Sequence, residues 1–290
     1  MKNRLLFFKK PGLFQDNIQV SICILSYNSK YYVERLIKSL LKQTDPRFEI
    51  IFSDDCSIDG TIDLVKRLII NSKFIPNGGI RLYKARKNFG IVRNSKFLLD
   101  ESCGKYFKLI AADDMIAPNY VEVLLRKDIK ETDVFISDVK YIHNNKIIDQ
   151  PERVKRISRF LNSKKDEQLK MLSISNPLNA SSIAVKKECL ININAYNYWP
   201  VRNIEDWETW FRIWSQGYDY KFSKKTFSYY ELGNIKSVDK RLNFSSILDN
   251  TYLKIRFIKL NSRNFKSIFT LILDLFRFYK YILIRKIKDK

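Results

Sequence analysis

Several residue types that define common functional sites are scarce in this sequence. The 290 residues include four cysteines without a C-x-x-C pair and a single histidine, His143. This spacing fits neither a zinc module nor a dense disulfide framework, and it indicates a reducing, cytosolic setting. The single histidine excludes mechanisms that need two, and a serine-histidine triad would have to use His143. Glycine and proline, at 8 and 7 residues, are too few for a collagen-like or linker-rich architecture.

Long apolar runs are absent as well. A membrane-spanning helix needs about 20 mostly apolar residues. The longest uncharged run, residues 171–185, is rich in serine and asparagine and contains a proline. Near the N-terminus, only residues 5–8 form an apolar stretch, whereas a secretory signal needs roughly 7–15 such residues. We therefore expect neither a membrane span nor export.

Acidic residues are outnumbered, since 53 lysines and arginines face 31 acids and leave a formal charge of +22. Residues 240–290 carry 13 basic and 3 acidic side chains, which is nearly half of the excess. This asymmetry predicts an acidic partner, either an anionic lipid surface or a nucleic acid. Within it, residues 265–287 form an apolar stretch with a narrow polar stripe at helical spacing. This stretch could dock onto the rest of the chain, form a dimer contact or lie in a membrane interface.

Apolar residues in the first half alternate between two spacings. Short β-branched runs predict strands at residues 20–25, 49–52, 80–83 and 106–110. Helical spacing between these runs predicts helices near residues 33–41, 61–70 and 91–99. Strands and helices in this order imply crossover connections and a mostly parallel sheet. Ligands of such sheets bind beyond the carboxyl ends of the strands.

Acidic pairs stand at two of those predicted strand ends. Asp113-Asp114 follows the strand at residues 106–110, and adjacent carboxylates repel unless a cation or hydrogen-bond donors satisfy them. Oxygen ligands suit Mg²⁺ or Mn²⁺, while a helix N-cap with a solvated neighbour is the alternative. Asp54-Asp55 follows the second strand, where a carboxylate can accept a hydrogen bond from a nucleobase. A turn with a capping residue is the alternative there.

Five segments, in order and spacing, resemble family 2 glycosyltransferases with the GT-A fold. They are the opening 20–61 with its SYN, QT and SDDCSIDGT elements, Asn88-Phe89-Gly90 with Arg93-Asn94, the G-x-Y…DD stretch 104–114, Asn176-Pro177, and EDWETWFR at 205–212. The resemblance covers roughly residues 18–239. It implies an α/β fold in which helices flank a Rossmann-like, mostly parallel sheet. It also implies a tail at 1–17, a catalytic domain at 18–239 with a nucleotide-sugar half (18–115) and an acceptor half (116–239), and a basic helical extension at 240–290.

The resemblance also implies roles for individual residues on the donor side. Leu25, Ser26 and Tyr27 would pack on a uracil ring, and Asp55 would accept from the uracil N–H. Asp114 would be the principal ligand of a divalent cation, Mn²⁺ or Mg²⁺, that bridges the donor diphosphate. The remaining members of the implied nucleotide site are Asn88, Arg93 and Asp113, the last near the ribose or the metal.

On the acceptor side, Asp206 would be the general base and Glu205 would help to position it. Family members invert the anomeric centre in one displacement, so a single positioned base suffices, as in inverting hydrolases. The alternative for both acids is a favourable negative charge at a helix N-terminus. Trp199 and Trp207 are the candidate acceptor contacts, and core packing is the alternative for the tryptophans. We interpret His143 as a solvated turn residue.

Two departures from the family pattern stand out. Ala111 occupies a position where relatives often have an acid before the later pair. Where many relatives have Y-R-x-H, the stretch 229–234 reads YYELGN and has neither arginine nor histidine. Asn234, Lys236 and Arg241 are the candidates to replace them.

The resemblance predicts an inverting glycosyltransferase of hexosyl or N-acetylhexosaminyl type that uses a nucleotide-sugar donor, by analogy a UDP-sugar. The acceptor would be a saccharide or lipid-linked saccharide in cell-surface polysaccharide biosynthesis, with the enzyme peripheral on the inner face of the cell membrane. The alternatives are an inactive scaffold of the same fold and a basic nucleic-acid-binding protein. No RNA or DNA motif is recognised, so we expect no nucleic acid partner. A homodimer stays open.

Overall fold

The computed structural model describes residues 3–10, 17–144, 146–197, 204–232, 244–260 and 272. Trp199, the candidates Asn234, Lys236 and Arg241, and the apolar stretch 265–287 apart from Ile272 lie outside these residues. The chain divides into two compact units. The first comprises residues 1–149, 179–195 and 218–232, and the second comprises 150–178, 196–217 and 233–290. Each unit is described by itself.

The first unit is built on a single mixed sheet, to which the described residues contribute ten strands in the order β1-β4-β3-β2-β5-β9-β7-β10-β6, with β8 paired to β7. Strands β4, β3, β2 and β5 run parallel to one another, and β10 runs parallel to β7. The strands are β1 (Asn3–Lys9), β2 (Val20–Ser26), β3 (Phe48–Asp54), β4 (Ile80–Ala85), β5 (Tyr106–Ala111), β6 (Met115–Ile116), β7 (Val134–His143), β8 (Lys146–Ile148), β9 (Ile183–Lys186) and β10 (Tyr220–Glu231).

The helices of the first unit follow the predicted alternation. They are α1 (Lys30–Leu40), α2 (Thr61–Asn71), α3 (Ile91–Glu101), α4 (Tyr120–Leu124) and α7 (Lys187–Asn192). Helix α1 buries Val33, Leu36, Ile37 and Leu40, the residues whose spacing predicted it. The four strands predicted from apolar runs are β2 to β5. This confirms the mostly parallel α/β sheet, while β1 adds a strand within the segment that the sequence analysis treats as a tail.

Close packing at the amino ends of the strands explains one glycine of the G-x-Y stretch. A Cβ atom on Gly104 would lie 2.5 Å from the main-chain nitrogen of Ser21. The Gly104 N–H donates to the Ser21 hydroxyl at 2.7 Å, and that hydroxyl donates to Glu49. Only glycine therefore allows β5 to start this close to β2.

The second unit contains the helices α5 (Pro151–Asn162), α6 (Lys165–Leu172), α8 (Glu205–Gln216) and α9 (Phe244–Leu260). Helix α9 packs on α8 through Phe257, whose ring stacks on Phe211 with centroids 3.7 Å apart. Phe257 and Leu253 are fully buried. The described part of the basic extension thus docks onto the helix that carries Glu205 and Asp206. Among the described residues, no helix has the length and apolarity required to cross a bilayer.

Candidate functional site

The loops after β2 and β3 lock together at the carboxyl edge of the sheet. The Asn28 N–H donates to the Ser57 hydroxyl at 2.8 Å, and the Asn28 side chain accepts from the Ile58 N–H at 3.0 Å. Asn28 and Cys56 both adopt positive φ angles, 49° and 70°, which are uncommon for residues with a side chain. The two segments that the sequence analysis places in a nucleotide site are therefore one connected structure.

Asp54 and Asp55 have different roles within this structure. The buried Asp54 carboxylate accepts from the Ser57 N–H at 2.7 Å and from the Ser57 hydroxyl, and burial raises its pKa. Asp54 therefore shapes its own turn. Asp55 reaches further: its two oxygens accept from the main-chain N–H groups of Phe89 and Gly90, each at 2.8 Å.

Asp55 thereby brings the predicted 88–94 segment to the end of β3. The Asn88 side chain accepts from the Gly90 N–H at 3.0 Å, and Arg93 is exposed on the first turn of α3. Asn94 is buried and bonds to the hydroxyl and carbonyl of Ser53, which fixes α3 against β3. The link from Asp55 to the loop is a contact that sequence reasoning missed.

The other predicted nucleotide contacts lie at the end of β2 and directly after it, and they differ in solvent exposure. Leu25 is partly buried, Ser26 is buried and Tyr27 is exposed. The Ser26 hydroxyl has no hydrogen-bond partner among the described residues. A buried hydroxyl without a partner costs free energy.

Asp113 and Asp114 follow β5, as predicted, and directly precede β6, which was not predicted. Asp114 is 3% exposed, and its carboxylate accepts from the Glu231 N–H at 2.9 Å. Burial and the neighbouring Asp113 raise the pKa of Asp114 well above its ordinary value, and burial raises the pKa of Asp113. Two adjacent acids with disfavoured charges form a place where a cation would be stabilised.

Two further residues, Arg35 and Glu231, lie next to the acidic pair, and neither was predicted from the sequence. The Glu231 side chain is fully buried, with its carboxylate 2.5 Å from the Arg35 guanidinium. The same guanidinium nitrogen donates to the main-chain carbonyl of Asp113. Glu231 falls in the stretch that departs from the family pattern, whereas nothing in the sequence singles out Arg35.

His143 differs from its prediction as a solvated turn residue. It ends β7, and its ring Nδ1 lies 2.8 Å from the Leu232 carbonyl oxygen and 3.5 Å from the Glu231 carboxylate. The pairing of β7 with β10 brings the ring to this place, because Ile142 lies opposite Glu231 in the sheet. The prediction was wrong because the polar residues that follow His143 in the sequence hide a strand pairing.

The chemistry of the acidic pair fits a divalent cation. No group of three or more His, Cys, Asp or Glu side chains in the described part of the chain is arranged to hold a metal ion. The pair itself supplies two carboxylates, and Mg²⁺ is typically held by one or two protein carboxylates together with substrate phosphates and water. Ala111 contributes no ligand.

Glu205 and Asp206 lie in the second unit, at the start of α8. Asp206 accepts from the Asn176 side-chain amide at 2.8 Å and from the Trp207 N–H at 2.7 Å. Burial raises the pKa of Asp206 to about 6. Burial and the neighbouring Asp206 raise the pKa of the buried Glu205 well above its ordinary value. The structure thus joins two predicted segments, Asn176-Pro177 and the ED helix, at one carboxylate.

Trp207 is buried, and its indole N–H donates to the Leu172 carbonyl at 2.6 Å. Its ring also packs against Phe257, with centroids 5.8 Å apart. These contacts favour the core-packing alternative for Trp207 over a contact with the acceptor. Trp199, the other candidate, lies outside the described residues.

Comparison with known proteins finds relatives that are named as glycosyltransferases. Among curated proteins, the chain is 30% identical to the putative glycosyltransferase EpsH of Bacillus subtilis over 118 residues, which are 40% of this chain and 32% of EpsH. It is also 30% identical to the putative teichuronic acid biosynthesis glycosyltransferase TuaG of the same species, over 33% of this chain and 36% of TuaG. These matches span about a third of each relative.

Solved structures share the fold at low sequence identity. Staphylococcus aureus TarS 1–349 in complex with UDP-GlcNAc matches 83% of this chain and 66% of its own, with a TM-score of 0.64 and 18% identity. The mannosyltransferase PcManGT from Pyrobaculum calidifontis, in complex with GDP-Man and Mn²⁺, matches 84% of this chain and 64% of its own, with a TM-score of 0.55 and 16% identity.

The family model described as Glycosyl transferase family 2 matches residues 21–187, more than half of the chain. The matched range contains both loops at the carboxyl edge and the Asp113-Asp114 pair. With its mixed sheet and its likeness to GT-A structures, this chain belongs to glycosyl transferase family 2.

Proposed function

We propose that this glycosyltransferase moves a sugar from a nucleotide diphosphate donor, first of all a UDP-sugar, to a saccharide or lipid-linked saccharide in polysaccharide biosynthesis. The observation that carries the proposal is the pair of Asp113 and the buried Asp114 after the end of β5, the strand that pairs with β2. The names of EpsH and TuaG, and the UDP-GlcNAc bound by TarS, support the same class of reaction.

On the donor side, Asp114 and Asp113 would hold Mn²⁺ or Mg²⁺. A bound divalent cation supplies positive charge that stabilises the departing nucleoside diphosphate. The raised pKa values of the two acids indicate that their paired charge is costly without such a partner.

The nucleotide would lie against the carboxyl edge of β2 and β3. Ser26 offers a buried hydroxyl without a partner among the described residues, and Tyr27 offers an exposed ring. Asp55 uses one lone pair of each oxygen on the 88–90 loop, which leaves acceptor capacity for a nucleobase N–H. Leu25, Asn88 and Arg93 would complete the contacts.

On the acceptor side, Asp206 would act as the general base with Glu205 beside it. The acceptor oxygen forms a bond to the anomeric carbon while its proton passes to the Asp206 carboxylate. The bond from the anomeric carbon to the diphosphate oxygen breaks, its electron pair leaves with the diphosphate, and the configuration inverts. A pKa of about 6 keeps Asp206 ionised at neutral pH and still basic enough to take a proton.

The basic extension would contact an anionic membrane surface through residues beyond α9. Within the described part, Phe257 is buried against α8 and Leu253 is also buried, so neither side chain is available to lipid. The proposed peripheral position on the inner face of the membrane therefore depends on residues 261–290. Their lysines and arginines would each contribute about 1 kcal/mol near an anionic surface.

Calorimetry of UDP binding tests the donor side. The wild type is titrated with UDP in Mn²⁺ and in EDTA, next to Asp114→Ala and the control Asp100→Ala, which removes an exposed acid of α3. We expect Mn²⁺-dependent binding in the wild type and the control and none in Asp114→Ala. Binding of a different nucleotide alone would overturn the choice of UDP, and no nucleotide binding at all would favour the scaffold.

A screen of UDP-sugars then tests the transfer step. Turnover with one donor that Asp206→Asn abolishes, while UDP binding persists, would support the assigned base. Turnover that survives the substitution would overturn it.

A further inference from the structure

We propose that Arg35 and Glu231 are positioning residues for the cation site, because together they hold the Asp113-Asp114 loop in the geometry that binds the metal. This inference rests on the proposed function, since it takes the acidic pair to be the metal site. Neither residue would touch the cation or the donor.

The contacts form a closed circuit around the acidic pair. The main-chain N–H of Glu231 donates to the Asp114 carboxylate at 2.9 Å. The side chain of the same residue binds the Arg35 guanidinium at 2.5 Å. That guanidinium then donates to the carbonyl of Asp113, whose peptide bond leads into Asp114. Both acids are thus held through one ion pair.

The circuit joins distant parts of the chain. Arg35 lies on α1 and Glu231 is the last residue of β10, 196 positions away. Strand β10 is aligned by its antiparallel pairing with β6, in which Ser228 faces Ile116 and Tyr229 faces Met115. The acidic pair directly precedes β6, so this register places Glu231 beside Asp114.

The burial of the ion pair makes it a rigid support. The Glu231 side chain is fully buried and that of Arg35 is 16% exposed. The guanidinium also lies 4.9 Å from the centre of the Tyr32 ring, a cation–π distance. A second acceptor contact of Glu231, from the Asn144 N–H at 3.4 Å, ties the carboxylate to the β7–β8 turn.

Arg35 could act on metal affinity through its charge or through its positioning of the acidic pair, and the two explanations predict opposite effects of its removal. A guanidinium beside the acidic pair repels a divalent cation, so through-space electrostatics predicts tighter metal binding in Arg35→Met. Loss of the circuit would instead let the Asp113 carbonyl and Glu231 shift, and the acids with them. Removal of groups that orient metal ligands typically costs 10–100-fold in metal affinity. The sign of the change therefore separates the two explanations.

The experiment measures Mn²⁺ binding by calorimetry and by the Mn²⁺ electron paramagnetic resonance signal, in the presence of UDP. We expect Arg35→Met to weaken Mn²⁺ binding by about 10-fold or more. Arg35→Lys keeps the charge and provides an ammonium with N–H donors, and should recover most of the affinity. The control Lys38→Met removes an exposed positive charge from the same helix and leaves the affinity unchanged. Unchanged or tighter binding by Arg35→Met would overturn the proposal.

A folding defect is excluded by a second variant. Arg35→Met leaves a buried carboxylate without its ion pair, which can destabilise the unit. The double variant Arg35→Met/Glu231→Gln removes that charge, and its thermal unfolding temperature should lie above that of the single variant. We expect it to bind Mn²⁺ as weakly as Arg35→Met. Wild-type affinity in the double variant would overturn the proposal.

Failure of this inference differs from failure of the proposed function. If the wild type binds Mn²⁺ and UDP in a manner that depends on Asp114, and the Arg35 variants bind equally well, only the positioning role is wrong. If the wild type binds neither, or Asp114→Ala binds like the wild type, the proposed metal site itself is wrong.

Discussion

Two of the acidic pairs, Asp113-Asp114 and Glu205-Asp206, look alike in the sequence and differ in their surroundings. Asp113-Asp114 in the first unit lies beside the Arg35 guanidinium, and the charge of the fully buried Lys108 opposes the raised pKa of Asp114. Asp206 in the second unit is held by an amide and a main-chain N–H, and no described residue forms an ion pair with it. The nearby Asp249 is acidic and raises the pKa of Glu205 further.

The neighbours of these acids, more than the acids themselves, determine the chemistry that each pair can perform. Positive groups next to the first pair partly offset the burial that raises the pKa of both acids, and a divalent cation would favour both negative charges. Neutral donors next to the second pair permit one charge and disfavour two, which is the state of a base that takes up a proton. Burial also lowers the pKa of the Lys108 ammonium to about 7, so the positive charge next to the first pair itself depends on its surroundings.

The largest expected effect would separate the two pairs by function. We expect Asp206→Asn to lower kcat by about 10²–10⁴-fold or more, because the base is lost, while Mn²⁺-dependent UDP binding stays intact. Asp114→Asn should lose both. Parallel measurements of UDP release and of UDP binding decide this. Equal effects of both substitutions on UDP binding would contradict separate functions for the two pairs.

Weakening the packing of α9 on α8 should affect the second acidic pair and leave the first pair intact. Phe257→Ala removes a fully buried ring that stacks on Phe211 of α8, and should lower the free energy of unfolding by about 3–5 kcal/mol. We expect lower kcat at a temperature where the protein is still folded, with UDP binding retained. The matched control is Ile255→Ala on the exposed face of α9, which should change stability little. Equal denaturant midpoints for both variants would contradict the docking of α9.

Activity and stability should depend on pH through Asp206. The pKa of Asp206 is raised to about 6, and the base must be ionised, so kcat/KM should rise with pH and level off above about 6. Because the folded state holds this proton more tightly than the unfolded chain, the residue costs stability as pH rises from about 4 through 6. Asp206→Asn should therefore raise the unfolding temperature relative to wild type more at pH 8 than at pH 4.5. A gain that is independent of pH would contradict the assignment.

The smallest effect concerns Asn176. Its amide donates to the Asp206 carboxylate at 2.8 Å and lowers the pKa of that acid. We expect Asn176→Ala to move the acidic limb of kcat/KM to higher pH by about one unit, the scale of a hydrogen bond to a charged group. Asn162→Ala, an exposed amide of α5 in the same unit, is the control. A profile that moves to lower pH would contradict the contact.

Much of the donor edge could be predicted because its signals are local. Apolar runs marked β2 to β5, and helical spacing marked α1 to α3, since each pattern repeats within about ten residues. The acidic pairs follow from where those strands end. Strands β7, β9 and β10 were not predicted, and their places in the sheet follow from pairings with segments far apart in the chain.

By itself, the sequence determined the parallel half of the sheet, the family, and the positions of Asp55, Asp113-Asp114 and Glu205-Asp206 at the ends of elements. These features depend on residues close together in the chain. Only the tertiary structure decided that Asp55 holds the 88–90 loop, that Asn176 bonds to Asp206, and that Arg35 and Glu231 enclose the first pair. Burial and contacts between distant residues determine the charges of these side chains, and neither can be predicted from a short stretch of sequence.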